Sequence, residues 1–265
     1  MGLLPQSISR RINRSALRSV KKRGSRVDRF KLVERSRVRE LLLANSEVAH
    51  AVDVHAAAHG LSQGKVWRLA RGYVDEIVPF FNILAYYRFG YLSSRTLLNV
   101  FYKVSADHHP AWSGHPLPRD AIVVYLMNHR SNADYVLVSY VLSGRVSISY
   151  AVGEWARAFP LEYIFKSFGS YFIRRKYREQ LYHCVLEQYV QLITREGVTQ
   201  GIFPEGGLTR DGKLRPGKIG LLDYILGVLG RMVQMYIHRG QKRPLTSQAN
   251  VLFEMLWRAI SKPSR

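Results

Sequence analysis

The stretch NHRSNADY, residues 128–135, follows directly on the apolar run AIVVYLM at 121–127 and sets a histidine, an arginine and an aspartate within six positions. His129 and Asp134 are five positions apart. On one continuous helix they would point about 140° away from each other at roughly 100° per residue. They converge when His129 sits on the loop leaving the apolar run and Asp134 begins the next helix. An aspartate that accepts a hydrogen bond from one ring nitrogen fixes the imidazole tautomer and leaves the other nitrogen free to act as a base. The chemistry on offer is removal of a proton from a hydroxyl. By itself H-x4-D is a common pattern, and a histidine after a strand is more often structural, so its weight depends on its company.

Two further groups supply that company. FGSYFIRR (168–175) puts Arg174 and Arg175 directly after an aromatic and apolar run, where guanidinium forks suit a phosphate. FPEGGLTRDGK (203–213) ends an apolar run at Phe203, and Gly206 and Gly207 let the backbone approach a ligand closely. Glu205, Arg210 and Lys213 surround that turn. Arg175 is the first choice for a phosphate, with Arg174 and Arg210 behind it and Lys213 after them. Glu205 cannot pair with a phosphate and instead suits a hydroxyl or the orientation of an arginine. The ordinary readings are a solvated strand end and a charged turn. Neither DGKLR nor PGKIG is a phosphate-binding P-loop, because both lack the Ser or Thr after Gly-Lys and the upstream glycine spacing. No metal ligand set is read: His50, His55, His59, His108, His109 and His115 have no Cys or Asp/Glu at a recognisable ligand spacing.

Together, in this order, the three pieces resemble the glycerolipid acyltransferase family, the glycerol-3-phosphate and lysophosphatidate acyltransferases, and within it the bacterial glycerol-3-phosphate acyltransferases. The family's N-H-x-S-x-x-D block is matched by Asn128, His129, Ser131 and Asp134, its G-x-x-F-I-x-R block by Gly169, Phe172, Ile173 and Arg175, and its F-x-E-G block by Phe203, Glu205 and Gly206. The resemblance extends over about residues 73–230. It implies that the first block carries catalysis and that the other two bind glycerol phosphate. It also implies an acyl-CoA or acyl carrier protein thioester as co-substrate, with no further cofactor, and a peripheral position on the cytoplasmic side of the cell membrane. The expected activity is transfer of a fatty acyl group to the 1-hydroxyl of glycerol 3-phosphate in phospholipid biosynthesis; a lysophospholipid acceptor is the alternative. Two departures stand out. Leu208 and Thr209 replace a frequent Arg-Ser, and no Val-Pro-Val-like fourth block follows Gly230.

These residues need elements to position them. Four short apolar runs, AIVVYLM (121–127), VSISYAV (146–152), SYFIRR (170–175) and QGIFPEG (200–206), read as strands. Between the last two, YREQLYHCVLEQYVQLITREG (177–197) keeps helical spacing and ends on Gly197 as a C-cap. Strands alternating with helices predict an α/β domain, and the resemblance makes its sheet mixed and flanked by helices. Residues 46–72 read as a helical hairpin broken at Gly60 with Ser62 as an N-cap. The expected organisation is a basic arm at 1–45, a helical, membrane-facing region at 46–104, the α/β domain at 105–230, and a divergent or truncated segment at 231–265.

Forty Lys and Arg against nineteen Asp and Glu give a formal charge of +21, which favours a polyanionic partner. Residues 9–40 hold thirteen basic and three acidic residues, and residues 1–40, with apolar positions too sparse for a core, read as a basic, partly helical or disordered, solvated arm suited to an anionic membrane surface. A nucleic acid is the lesser reading of this charge: residues 56–74 have the Gly turn and apolar spacing of a helix-turn-helix, with Gln63, Lys65 and Arg68 as the contacts it would use. The N-terminus lacks the apolar core of a secretory signal. The apolar segment 77–92 is interrupted by Arg88, so contact with a membrane is expected rather than a crossing. One cysteine, Cys184, rules out an intramolecular disulfide.

Overall fold

Short apolar strands separated by amphipathic helices can bury both faces of a sheet, and this chain does so. The computed structural model describes residues 28–228 apart from positions 84, 102, 105–120, 132, 143–145, 175–176, 210, 212 and 214. In chain order come α1 (Arg35–Leu43), α2 (Ser46–His59), α3 (Gln63–Ile77), a π-helical turn (Ala85–Gly90), α4 (Tyr91–Phe101), β1 (Val124–Leu126), α5 (Ala133–Leu142), β2 (Ser149–Gly153), α6 (Leu161–Ser167), β3 (Tyr171–Ile173), α7 (Gln180–Arg195) and β4 (Gln200–Ile202). The expected divergent segment at 231–265 lies outside the described residues.

The four strands are parallel and ordered β1-β4-β2-β3. The expected α/β domain with a helical region before it is present; among the described residues its sheet is parallel rather than mixed, and the antiparallel bridge Phe81–Phe168 lies outside the strands. Alternation along the strands sorts side chains to two faces. Tyr171 and Ile173 meet the layer built by α1, α2, α3 and α7, where Val38, Leu42, Val48, Val66, Val74, Leu181 and Val185 are buried. Tyr150, Val152 and Phe172 meet the other layer with Tyr135 and Phe203. A Cβ on Gly201 would come within 2.8 Å of Ile148 and Tyr150, so β4 can lie flush against them only as glycine.

The hairpin α2–α3 forms where its signals stand. Asn45 caps α2 by accepting from the backbone N–H of Glu47 and Val48, and Gly60 ends it at φ 61°. Ser62 holds the N-cap position of α3 without a side-chain bond. Both helices pack on α7. Gln63, a candidate for nucleic-acid contact, donates to Asp53 at 2.9 Å. The apolar face of α3 is buried through Val66, Ala70, Tyr73 and Val74.

The chain expected to be a solvated arm up to residue 45 is folded from residue 28 onward. Asp28 accepts from the backbone N–H of Thr199 at 2.8 Å and from its hydroxyl at 3.2 Å. Lys31 donates to the Ser147 carbonyl at 2.7 Å. Both contacts meet polar groups where β4 and β2 begin, while Val38 and Leu42 enter the apolar layer. Sparse apolar spacing hid this, because the lysine contributes its own aliphatic stem to the interior. Residues 1–27 lie outside the described residues.

Burial lowers the Lys31 pKa from 10.5 to about 8, against the opposing pull of Asp28. A folded pKa below the unfolded one means the unfolded chain binds the proton more tightly, so this group makes stability rise as pH climbs from about 8 towards 10.5 and costs stability below that window. Denaturant midpoints measured between pH 7.5 and 9.5 are expected to rise more steeply for the wild type than for Lys31→Met; equal slopes would refute the assignment.

Candidate active site

The loop leaving β1 carries His129, and α5 begins four residues later. Ser131 starts that helix: its hydroxyl accepts from the N–H of Ala133 at 3.1 Å and its carbonyl from the N–H of Asp134 at 3.0 Å. Asp134, in the first turn, turns its carboxylate back over the loop. One oxygen, Oδ2, accepts from the backbone N–H of Arg130 at 2.7 Å and of Ser131 at 3.0 Å, and stands 3.1 Å from His129 Nδ1. An oxygen already accepting two N–H groups also accepts from the ring, which puts the imidazole proton on Nδ1 and leaves Nε2 as the basic nitrogen. The convergence expected from the H-x4-D spacing is the geometry observed.

Aromatic rings fix the imidazole plane. His129 stacks on Phe203 with centroids 4.3 Å apart and meets the edge of Tyr135 at 5.3 Å. Only 1% of its surface is exposed. The backbone completes the frame, since the N–H of Thr209 donates to the His129 carbonyl at 3.2 Å. Because β4 pairs with β1, the turn after β4 is brought directly to this histidine.

That turn contains Glu205 and Gly206. Gly206 takes φ 64°, and a Cβ there would be strained and would come within 3.0 Å of the Lys218 side chain. Lys218 in turn donates its N–H to the Pro204 carbonyl at 2.7 Å. Glu205 is buried, yet among the described residues neither of its carboxylate oxygens has a hydrogen-bond partner, and the Thr209 hydroxyl is in the same condition. A buried carboxylate without donors is costly. Its natural complement is a ligand bearing hydroxyls.

Arg174 does not join this group. It follows β3 at the opposite edge of the sheet from β1, about 14 Å away across three strand spacings of about 4.8 Å. Its Nε and Nη2 donate to the two oxygens of Glu76 at 2.8 and 2.5 Å, its plane lies 4.6 Å from the Tyr177 ring centroid, and Tyr73 and Tyr182 flank it. Arg157 approaches the same carboxylate at 3.2 Å. The hydrogen bonds to Glu76 raise the Arg174 pKa further above its already high value. With its fork engaged on Glu76, Arg174 holds α3 against the end of β3 and is not brought to His129 with the other expected site residues. Arg175 and Arg210 lie outside the described residues. Lys213 is exposed, with its N–H on Asp211 Oδ1 at 3.2 Å.

Several residues at the site escape sequence reading. Phe203 was taken only as a strand end and Thr209 only as a departure from Arg-Ser; Tyr135 and Lys218 were not singled out. The F-x-E-G block marks Phe203 by position, but nothing in the spacing shows that its ring lies against His129.

A histidine–aspartate pair at the carboxyl end of a parallel strand thus stands beside a glycine turn whose glutamate has no partner among the described residues. Residues 111–238, just under half of the chain, match the family model described as Acyltransferase. The chain is similar to glycerol-3-phosphate acyltransferases of Aeromonas hydrophila, 32% identical over 225 residues (82% of this chain, 26% of the relative), and of Alteromonas mediterranea, 28% over 226 residues (82% and 27%). A third, of Pseudoalteromonas atlantica, is 31% identical over 205 residues (72% of this chain, 24% of the relative). The chain therefore spans about a quarter of the length of the curated relatives it matches.

Glu76→Gln leaves Arg157 and Arg174 side by side without a counter-charge and is expected to cost about 2–4 kcal/mol of stability, the lower part of the range reflecting the quarter of the Arg174 side chain that keeps water. Denaturant unfolding checks this; an unchanged midpoint would show the clasp to be idle.

Proposed function

We propose that the chain transfers a fatty acyl group from a thioester, acyl-CoA or acyl carrier protein, to the 1-hydroxyl of glycerol 3-phosphate. The observation that carries this is the buried His129, held by the half-buried Asp134, standing beside a buried glutamate that lacks a partner among the described residues. The names of the similar proteins support the acceptor.

His129 Nε2 takes the hydroxyl proton as the alkoxide oxygen attacks the thioester carbonyl. The carbon–oxygen ester bond forms, the carbon–sulfur bond breaks, and the imidazolium returns its proton to the departing thiolate. Asp134 keeps the ring in the productive tautomer throughout. No covalent acyl-enzyme is required, since the thioester is already activated and the Ser131 hydroxyl serves the start of α5. Packing by Phe203 and Tyr135 keeps water from competing as the acyl acceptor. Glu205 accepts from the glycerol hydroxyls, and Arg175, Arg210 and Lys213 supply charge for the phosphate.

The product is a membrane lipid, so the site works at the cytoplasmic surface of a membrane. Among the described residues no helix is long and apolar enough to cross one. The helix α4 nonetheless exposes Leu97, Val100 and Phe101, an apolar stripe fit for an interface alongside the basic excess of the chain.

With acyl-CoA and glycerol 3-phosphate as substrates, His129→Ala is expected to lower kcat by about 10²–10⁴, the usual worth of a general base. Glu205→Gln is expected to lower kcat/KM by about ten- to a hundredfold without loss of folding stability, because it removes an unpaired buried charge. Arg175→Ala is expected to raise the KM for glycerol 3-phosphate. Near-normal turnover in His129→Ala would end the proposal. Separately, the double change Val100→Asp with Phe101→Asp is expected to reduce co-sedimentation with anionic vesicles, and undiminished sedimentation would remove α4 from the membrane surface.

A further inference from the structure

Sequence spacing offers no metal site, but the fold assembles a donor set that spacing cannot reveal. His55 and His59 lie one turn apart on α2, so their side chains share a face. Their rings stack with centroids 4.1 Å apart. Packing of α2 on α7 brings in Glu179, the residue that precedes α7. His55 Nδ1 stands 3.1 Å from Glu179 Oε1. One donor atom from each of the three residues lies within 4.8 Å of the other two.

We propose that His55, His59 and Glu179 bind a divalent transition-metal ion of the zinc type. The tautomer of His59 supports this. Its Nδ1 is 3.0 Å from the His55 carbonyl, which can only accept, so Nδ1 carries the proton and Nε2 presents its lone pair. An imidazole whose other nitrogen donates to a backbone carbonyl is the usual condition of a metal-bound histidine. Two imidazoles and a carboxylate match zinc and its neighbours, whereas magnesium and calcium favour oxygen donors throughout. Donor atoms around a tetrahedral zinc stand about 3.4 Å apart at bond lengths of about 2.0–2.1 Å. The His55–Glu179 separation already meets that spacing, and the exposed His59 has room to close the remainder.

The ion would join the last turn of α2 to the connection between β3 and α7. That connection starts at Arg174, and its Tyr177 packs on the same guanidinium. Metal binding would thus brace the connection that begins at Arg174. The site stands apart from His129, and the inference does not depend on the acyl-transfer reading.

Titrating the chelator-stripped full chain with Zn2+, Co2+ and Mg2+ tests it. Zn2+ and Co2+ are expected to bind saturably, raise the thermal midpoint by a few degrees and, for Co2+, give a visible ligand-field band; Mg2+ should do none of these. His59→Ala, at an exposed position, is expected to keep the metal-free midpoint and weaken Zn2+ binding at least tenfold, and Glu179→Gln is expected to weaken it as well. Absence of saturable Zn2+ binding would overturn the proposal and leave the cluster as a helix-to-loop ion pair. Zn2+ binding of unchanged affinity in both variants would overturn it too, by assigning the metal to other histidines.

Discussion

A single carboxylate oxygen organises the centre of this molecule. Oδ2 of Asp134 gathers two backbone N–H groups and the His129 imidazole, so one acceptor shapes the loop, fixes the start of α5 and sets the proton on the ring. These effects are inseparable. Were the oxygen lost, the backbone of residues 130 and 131 would lose its donors' partner at the same moment as the histidine lost its orientation. This is why a short run of sequence can specify a reactive geometry: the groups that converge are only five residues apart, and the turn between them is tied by Ser131.

The sheet order then decides what this histidine can meet. Because β4 lies between β1 and β2, the glycine turn of the third block emerges beside the loop of the first, and Phe203 becomes the platform beneath the imidazole. The second block leaves the sheet at the far edge. The His129 loop stands at the carboxyl ends of the strands, where parallel sheets commonly present ligand crevices. The two faces divide the labour: one layer with α7 and the N-terminal helices supplies bulk, and the other, rich in Tyr and Phe, surrounds the chemistry.

Much of this was legible from local pattern. The four strands lie on the apolar runs, β2 reaching one residue beyond its run, α7 lies within the span of its helical spacing, and Gly60 and Gly197 take the left-handed conformation their positions suggest. The His129–Asp134 contact was readable for the same reason, being local. What could not be read are partnerships made across the fold. Arg174 looked available for phosphate because Glu76 lies 98 positions earlier. Residues 28–43 looked solvated because the groups that receive Asp28 and Lys31 are at strand starts far downstream. Charge in sequence does not disclose whether its counterpart is water, ligand or another part of the chain.

The Arg174–Glu76 clasp also bears on what counts as one unit of inheritance. Residues 111–238 match a family, but the carboxylate that steadies the end of β3 comes from α3, and α2 and α3 cover much of the apolar side of α7. A gene fusion that carried only the matched segment into a new protein would expose that helix face and strand a guanidinium among tyrosines. Recombination can therefore shuffle this module without damage only when its ancestry includes the helices from residue 28 onward.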